Sequence, residues 1–207
     1  MVSIEIPFLK LVMLNFFFKF DSEILDSNLE NRLIKVCQLP VKQKWELKYR
    51  GTRDGFNTKD FHSNCDGIPG SLTLIKTTSG NIFGGFTEMS WNSTGGFVAD
   101  PNAFIFSLIN QENTPFKVMC SNEGEFAINC SAKRGPSFGG NGQYIKDIVI
   151  RSDSNANQES YSDFGYSYKH PDYLKGTDKA KSILAGSYKF QTVEIEVFSQ
   201  NVISSFF

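Results

Sequence analysis

Hydrophobic and polar residues alternate along several short stretches of this chain. Every second residue from Trp45 to Tyr49 is apolar and the residues between them are charged, which is the period of a β-strand with one buried and one solvated face. Seven further runs are rich in Ile, Val, Leu and Phe, namely 72–76, 82–87, 103–109, 116–120, 126–131, 145–150 and 190–198. Gly, Asn, Pro or Ser separates most of them, as is typical of strands joined by turns.

Two short segments carry helical signals instead. Ser27 and Glu30 have the spacing of a capping box, in which each side chain accepts a backbone N–H at the start of a helix. The apolar residues that follow share one helical face: Leu29, Leu33, Val36 and Cys37. Pro40 should end this helix, because the residue before proline avoids the helical region. We predict a second short helix over 59–65.

These patterns predict a mainly β protein with a small α content, built as a two-layer antiparallel β-sandwich flanked by short helices. The Asn- and Ser-rich stretch 151–160 predicts a surface loop. The chain has 207 residues and no internal repeat, so we expect one domain at 22–199. Residues 1–21 would then form an apolar leader and 200–207 a C-terminal tail.

Charge excludes some classes of partner. Lys and Arg total 21 against 22 Asp and Glu, for a formal net charge of -1. A nucleic-acid or anionic-membrane binder needs a basic surface. We therefore predict protein partners, no nucleic acid and no stable membrane insertion.

The four cysteines are Cys37, Cys65, Cys120 and Cys130, and no two of them form a C-x-x-C pair. With only two histidines to help, a structural zinc site is not expected. Two disulfides would need a secretory route. We predict free thiols of the kind found in a reducing cytosol.

The leader contains an apolar run at 11–18 between Lys10 and Lys19, too short to span a bilayer. It lacks the basic start and small-residue cleavage site of a signal peptide. A buried extra strand or docking segment is the favoured interpretation, with secretion or a mistaken start site as the alternatives. The sequons at Asn92 and Asn129 matter only if the chain is secreted.

The glycine-rich segment 135–142 resembles a phosphate-binding loop only superficially. It lacks the lysine and following helix that such loops use. A tight turn between strands, which lets backbone pack under Phe138, is the favoured interpretation.

His62 and Cys65 lie three residues apart in the second predicted helix. They raise the alternative of a thiol-dependent redox or hydrolytic enzyme, in which the histidine activates the thiol. The competing interpretation has Cys65 packed inward as a small hydrophobic group and His62 near the surface.

Glu194 and Glu196 share one face of the last predicted strand. Paired carboxylates can hydrolyse glycosides when they face each other across a sugar. On one amphipathic strand, we expect them instead to be solvated or to pair with a basic residue on a neighbouring strand.

Several blocks of the chain occur in a recognisable order: 45–49, 54–56, 72–76, 83–84, Trp91, 104–108, 135–140, 147–148, 161–165 and 194–198. In this order the chain resembles the TLDc domain, the module of eukaryotic oxidation-resistance proteins. The resemblance implies a β-sandwich flanked by short helices, with no established catalytic chemistry and no cofactor. Gly84, Gly139 and Gly140 match glycines of the family pattern, and Glu196 matches the acidic residue of its closing strand.

The resemblance also implies a function. Relatives protect against oxidative damage, and several bind the vacuolar proton-pumping ATPase. Our leading hypothesis is therefore a non-enzymatic, cytoplasmic interaction domain, peripheral at endomembranes, that binds peripheral subunits of this pump. The loops after Asn110 and at 151–160 are the expected contact regions. A secreted glycan-binding sandwich is the third alternative.

Overall fold

The computed structural model describes residues 20–40, 43–142 and 145–201. Over these ranges the chain forms two antiparallel sheets of six strands each. The prediction of a mainly β sandwich is confirmed.

Each sheet mixes strands that are distant in sequence. Sheet 1 contains, in spatial order, β1 (Lys44–Arg50), β12 (Thr192–Asn201), β2 (Ser71–Thr77), β3 (Ile82–Thr87), β5 (Phe104–Ile109) and β6 (Phe116–Met119). Sheet 2 contains β11 (Lys189–Phe190), β10 (Ser160–Ser162), β9 (Ile148–Val149), β8 (Ser137–Phe138), β7 (Ile128–Ser131) and β4 (Thr94–Val98). The last strand, β12, lies between β1 and β2, so it is an interior strand of sheet 1, next to the edge strand.

The helices are short. Within the described residues they are α1 (Ser27–Cys37), α2 (Gly51–Asp54), α3 (Thr58–Cys65) and α4 (Asp178–Ile183), with one 3₁₀ turn at Asn122–Gly124. No helix in the described ranges has the length and apolar character needed to cross a membrane.

Helix α1 begins one residue earlier than the sequence predicted. Its N-cap is Asp26, whose side chain accepts the backbone N–H of Leu29 at 2.8 Å. The capping box predicted at Ser27 and Glu30 is therefore wrong, because Ser27 already lies inside the helix. A capping box occurs instead on α3, where Asn57 and Asp60 exchange side-chain and backbone bonds.

Two hydrophobic cores hold the layers together. The core between the sheets contains Phe83 and Ile195 from sheet 1 and Phe138 and Ile148 from sheet 2. A second core covers the other face of sheet 1, where Phe20 and the apolar face of α1 pack on strand residues such as Leu72, Leu74, Phe106 and Phe198. Sheet 1 is thus covered on both faces at β2 and β3, which explains why almost every residue of these two strands is buried, without an exposed alternate face.

Strand β1 changes face part-way along its length. Trp45 and Leu47 pack against the second core, which lies between α1 and sheet 1 and is called the helix-side core below. Tyr49 instead lies in the core between the sheets. The pairing with β12 shifts register between Leu47 and Tyr49, and such a bulge re-aims the side chains that follow it. The prediction that the apolar residues of this strand share one buried face is therefore wrong.

The sequence pattern missed several regular elements. Strands β4, β8 and β10 and helices α2 and α4 lie in stretches that we interpreted as turns or left unassigned. The predicted loop 151–160 is also too long, because Ser160 begins β10 and Ser154 is buried and hydrogen-bonded to Thr192. The apolar run of the leader lies outside the described residues, and so do the last six residues of the predicted tail.

Candidate functional site

Glu196, the acidic residue of the closing strand, is fully buried in β12. Its carboxylate accepts hydrogen bonds from Arg50 Nε at 2.9 Å, from the backbone N–H of Glu23 at 2.8 Å and from the Ser22 hydroxyl. Arg50 and Glu196 are register partners in neighbouring strands. The ion pair that we expected between this glutamate and a basic residue on a neighbouring strand is present. The alternative, that the glutamate is solvated at the surface, is wrong. Glu196 thereby anchors the segment before α1 to β12 of sheet 1.

Glu194 has a similar role, although it lies two residues earlier in the strand. Its side chain is almost completely buried and accepts both the backbone N–H of Thr52, at 3.1 Å, and the Thr52 hydroxyl. Each glutamate therefore anchors a neighbouring segment of the chain. The two carboxylates are not arranged as an acid and a base facing a substrate.

The second buried carboxylate centre is Asp147, just before β9. Its Oδ1 accepts the backbone N–H groups of Gly165 and Tyr166 at 2.7 and 2.8 Å, and its Oδ2 accepts that of Ser167 at 2.9 Å. Successive N–H groups that converge on one anion form a concave binding site. Burial raises the pKa of Asp147 to about 7, although these N–H bonds act in the opposite direction.

The glycine pair of the family pattern lies against this carboxylate. Gly139 has φ +71°, and a Cβ there would lie 1.9 Å from Asp147 Oδ2. Gly140 has φ +146°, and its N–H donates to the hydroxyl of Ser167 at 3.1 Å. The glycines therefore allow the chain to pass close to Asp147 and to the 165–167 segment that binds it.

Gly84 occupies the middle of β3 and has an ordinary strand conformation. A Cβ at this position would lie 1.9 Å from the backbone oxygen of Thr73 in β2 and 2.9 Å from the ring of Phe106 in β5. The strands on both sides leave no space for a side chain.

The roles of Asp147 and Arg50 were not predicted from the sequence, although Asp147 lies within the 147–148 block and Arg50 directly follows the 45–49 block. A signal for Asp147 was present, since it directly precedes the apolar run of β9 in a stretch that should be buried. A charge in such a place requires compensating hydrogen bonds.

His62 and Cys65 do not form a nucleophile pair. His62 is buried, its Nδ1 is 2.7 Å from Asp66 Oδ1, and its Nε2 is 3.1 and 2.9 Å from the backbone oxygens of Ser131 and Arg134. Both ring nitrogens therefore have partners other than the thiol. The expectation that Cys65 packs inward is met, but the expected surface position of His62 is wrong.

The four thiols are unpaired, in agreement with the prediction. Burial raises the pKa of Cys37 and Cys65 well above that of an ordinary thiol, and it raises the pKa of Cys120 to about 11. A reactive cysteine needs the opposite shift. Within the described ranges no group of His, Cys, Asp or Glu residues is arranged to hold a metal ion.

The sequon at Asn129 is unsuited to a glycan. Asn129 is buried, and its amide donates to the backbone oxygen of Gly96 at 2.9 Å. Glycosylation would break this bond and would require space that the fold does not leave.

The expected contact loop after Asn110 is rigid at its base and exposed at its tip. The Asn110 amide donates to the backbone oxygen of Thr114, and its Oδ1 accepts the N–H groups of Glu112 and Thr114. The side chains of 111–114 are exposed. A preorganised exposed loop of this kind suits recognition of another protein.

Comparison with known families agrees with this architecture. The family model of the TLDc domain matches residues 18–201, which is nearly the whole chain. The chain belongs to the TLDc domain family. TLDc domains are in general non-catalytic protein-interaction domains, as the sequence resemblance implied. A search of curated proteins returned no match to this chain.

Proposed function

We propose that this TLDc domain is a non-enzymatic binding module whose partner is a peripheral subunit of the vacuolar proton-pumping ATPase, and that it acts in resistance to oxidative stress. The observation that carries the proposal is the family match over residues 18–201. The domain would act in the cytoplasm, at the surface of endomembranes that hold the pump.

The geometry of the carboxylates supports a binding role. Glu194, Glu196 and Asp147 are buried and accept bonds from the protein itself. Their hydrogen bonds to the chain itself maintain the shape of the sandwich, and the three side chains do not face a substrate. A rigid scaffold that presents loops can contact a large assembly without a cofactor pocket.

Affinity purification with mass spectrometry tests the partner. Tagged protein from its native cells should co-purify with peripheral pump subunits, in both cytosolic and membrane fractions. Repeated recovery of unrelated proteins, with pump subunits absent under conditions that preserve the pump, would refute this partner while leaving the fold unaffected.

Charge-changing variants test the loops. Gln111→Lys and Gln158→Lys each place one positive charge on an exposed position of the two expected contact loops. Asn31→Lys adds the same charge on an exposed position of α1 and serves as the matched control. We expect the loop variants to reduce recovery of pump subunits and the control to leave it unchanged, with all three proteins equally folded. Equal recovery from all three would exclude these loops.

A further inference from the structure

The connection between β10 and β11 carries an excess of positive charge. Residues 164–189 contain five lysines and two aspartates, whereas the whole chain has a formal net charge of -1. Four of the five lysines are exposed, and the fifth, Lys181, is half-buried. Positive charge is therefore concentrated in one connection of an otherwise slightly acidic domain.

Two of these lysines are held over tyrosine rings. Nζ of Lys175 lies 5.2 Å from the ring centroid of Tyr166, and Nζ of Lys181 lies 5.6 Å from that of Tyr188. An ammonium group within about 6 Å of a ring centroid is attracted to the negative face of the ring. This attraction directs each lysine side chain without neutralising its charge.

The segments that carry the two tyrosines are joined by a backbone hydrogen bond. The N–H of Ser162 donates to the backbone oxygen of Tyr188 at 2.9 Å, and Tyr166 follows Ser162 four residues later in the chain. A Cβ at Gly165 would lie 2.8 Å from Cβ of Lys175, so Lys175 packs directly against the backbone beside Tyr166. The two lysine–tyrosine pairs therefore belong to one region of the surface.

A fixed turn connects Lys175 to helix α4. The hydroxyl of Thr177 accepts the backbone N–H of Ala180 at 3.2 Å and donates to the backbone oxygen of Leu174 at 2.7 Å. The N–H of Thr177 donates to the same oxygen at 3.2 Å. These bonds hold Leu174 in a defined position, although it is 66% exposed.

This region thus combines two cations with exposed apolar groups. Tyr188 is 42% exposed, and tyrosine is enriched in protein–protein interfaces. Below, the basic surface means the four residues Leu174, Lys175, Lys181 and Tyr188.

The basic surface lacks complementary negative charge. Within the described residues, no carboxylate forms an ion pair with Lys175 or Lys181, whereas Lys179 pairs with Glu112 at 3.0 Å. Burial raises the pKa of Asp163, and the charge of Lys181 opposes the rise. Asp163 is buried, however, and it lies beyond ion-pair distance from this lysine. Both ammonium groups are therefore available to carboxylates of another molecule.

We propose that the basic surface binds an acidic segment of a partner protein. Carboxylates of that segment would pair with the two lysines, and an apolar side chain would contact Leu174 and Tyr188. Complementary charge of this kind steers association and fixes orientation. An anionic membrane fits less well, because exposed Asp172 and Asp178 lie in the same connection and would repel its headgroups. The inference goes beyond the proposed function, since it does not require the pump to be the partner.

Binding of defined peptides to the intact protein tests the basic surface. The probe is a mixture of peptides that alternate Glu with randomised positions, and the matched mixture has Gln in place of every Glu. In a ¹H–¹⁵N NMR titration, the Glu mixture should shift the amide signals of residues 174, 175, 181 and 188 saturably, and the Gln mixture should not. Added salt should weaken this binding, because exposed charges are screened. Vesicles that contain phosphatidylserine form the third arm.

Matched variants identify the residues. Lys175→Gln and Lys181→Gln should each weaken binding of the Glu mixture about two- to fivefold, the range expected for an exposed charge pair. Lys59→Gln removes an exposed charge from α3 and should leave binding unchanged. Leu174→Ser should also weaken binding, whereas Val193→Ser removes another exposed apolar side chain, on β12, and should not. Melting temperatures confirm that each variant is folded.

Several outcomes would overturn the proposal. They are equal binding of the Glu and Gln mixtures, undiminished binding by both lysine variants, and binding to the vesicles without binding to the peptides. The peptide measurements do not depend on the pump. A failure of this inference can therefore be distinguished from a failure of the co-purification test.

Discussion

A Cβ atom at Gly139 would lie 1.9 Å from Oδ2 of Asp147, so the glycine and the buried carboxylate depend on each other. The carboxylate holds the backbone of 165–167 through three N–H bonds. It can approach the turn after β8 only because residue 139 has no side chain. The glycine of the family pattern is thereby linked to an acid that lies eight positions later in the chain.

Gly139→Ala should therefore lower the free energy of unfolding more than strain in φ alone would. Gly80→Ala is the matched control, since Gly80 has φ +84° but nothing within 4 Å of its Cβ position. We expect a loss of about 1 kcal/mol for the control and a further loss of about 1–3 kcal/mol at Gly139 from overpacking. Urea denaturation measures both, and equal losses would argue against the contact with Asp147.

Gly84→Ala tests close packing without backbone strain. Its Cβ would meet the backbone oxygen of Thr73 at 1.9 Å, and a backbone atom within a sheet cannot move aside easily. We expect a loss of about 1–3 kcal/mol in the free energy of unfolding, and Gly84→Val should be at least as damaging. An unchanged melting temperature in either variant would refute a structural role for Gly84.

The titration of Asp147 should appear in the pH dependence of stability. Burial raises its pKa to about 7 from the ordinary 3.8, so the folded chain holds this proton more tightly than the unfolded chain does. The resulting stabilisation is fully present below the unfolded pKa and is lost as the pH rises through about 7. Relative to Asp147→Asn, the wild type should lose up to about 1.4 kcal/mol per pH unit within this window. A stability difference between the two proteins that stays constant from about pH 4 to about pH 8 would contradict the shift.

The pair of Arg50 and Glu196 should contribute far more than an exposed pair. Arg50→Gln leaves the fully buried Glu196 carboxylate without its cation and should cost about 3 kcal/mol. Arg53→Gln removes a comparable cation from a half-exposed pair with Asp54 and should cost less than about 1 kcal/mol. A double-mutant cycle with Glu196→Gln measures the coupling, and additive losses would show that the two side chains act independently.

The thiols should react slowly in the folded protein. Cys37 and Cys65 are buried and have raised pKa values, whereas Cys120 is partly exposed with a pKa of about 11. With iodoacetamide near neutral pH, Cys120 should label first and the others only on unfolding. Cys120→Ser should remove the early label. Fast labelling of Cys65 would revive the hypothesis of a thiol enzyme.

Much of the fold could be read from the sequence because burial imposes simple patterns. The apolar runs at 72–76 and 82–87 became β2 and β3, and the apolar face of 29–37 became the buried face of α1. Strands β8 and β10, with two and three residues, are too short to show a period. Their pairing depends on neighbours far along the chain, which local patterns do not reveal.

The candidate sites were less predictable than the fold, for a related reason. Glu196 could be recognised as significant from the sequence. No nearby residue indicates that Ser22 and Glu23 donate hydrogen bonds to it, because they lie more than 170 positions earlier in the chain. Gly139 and Asp147 likewise approach each other through the pairing of β8 with β9. Contacts of this kind arise from topology and become visible only in three dimensions.

The bulge in β1 couples the unfolding of the two hydrophobic cores. Within this one strand, Trp45 packs against the helix-side core and Tyr49 packs in the core between the sheets. Neither core can lose the strand without exposing apolar surface in the other. Peeling of β1 from the edge of sheet 1 would therefore open both layers at once, and hydrogen exchange should report α1 and the sandwich as a single cooperative unit.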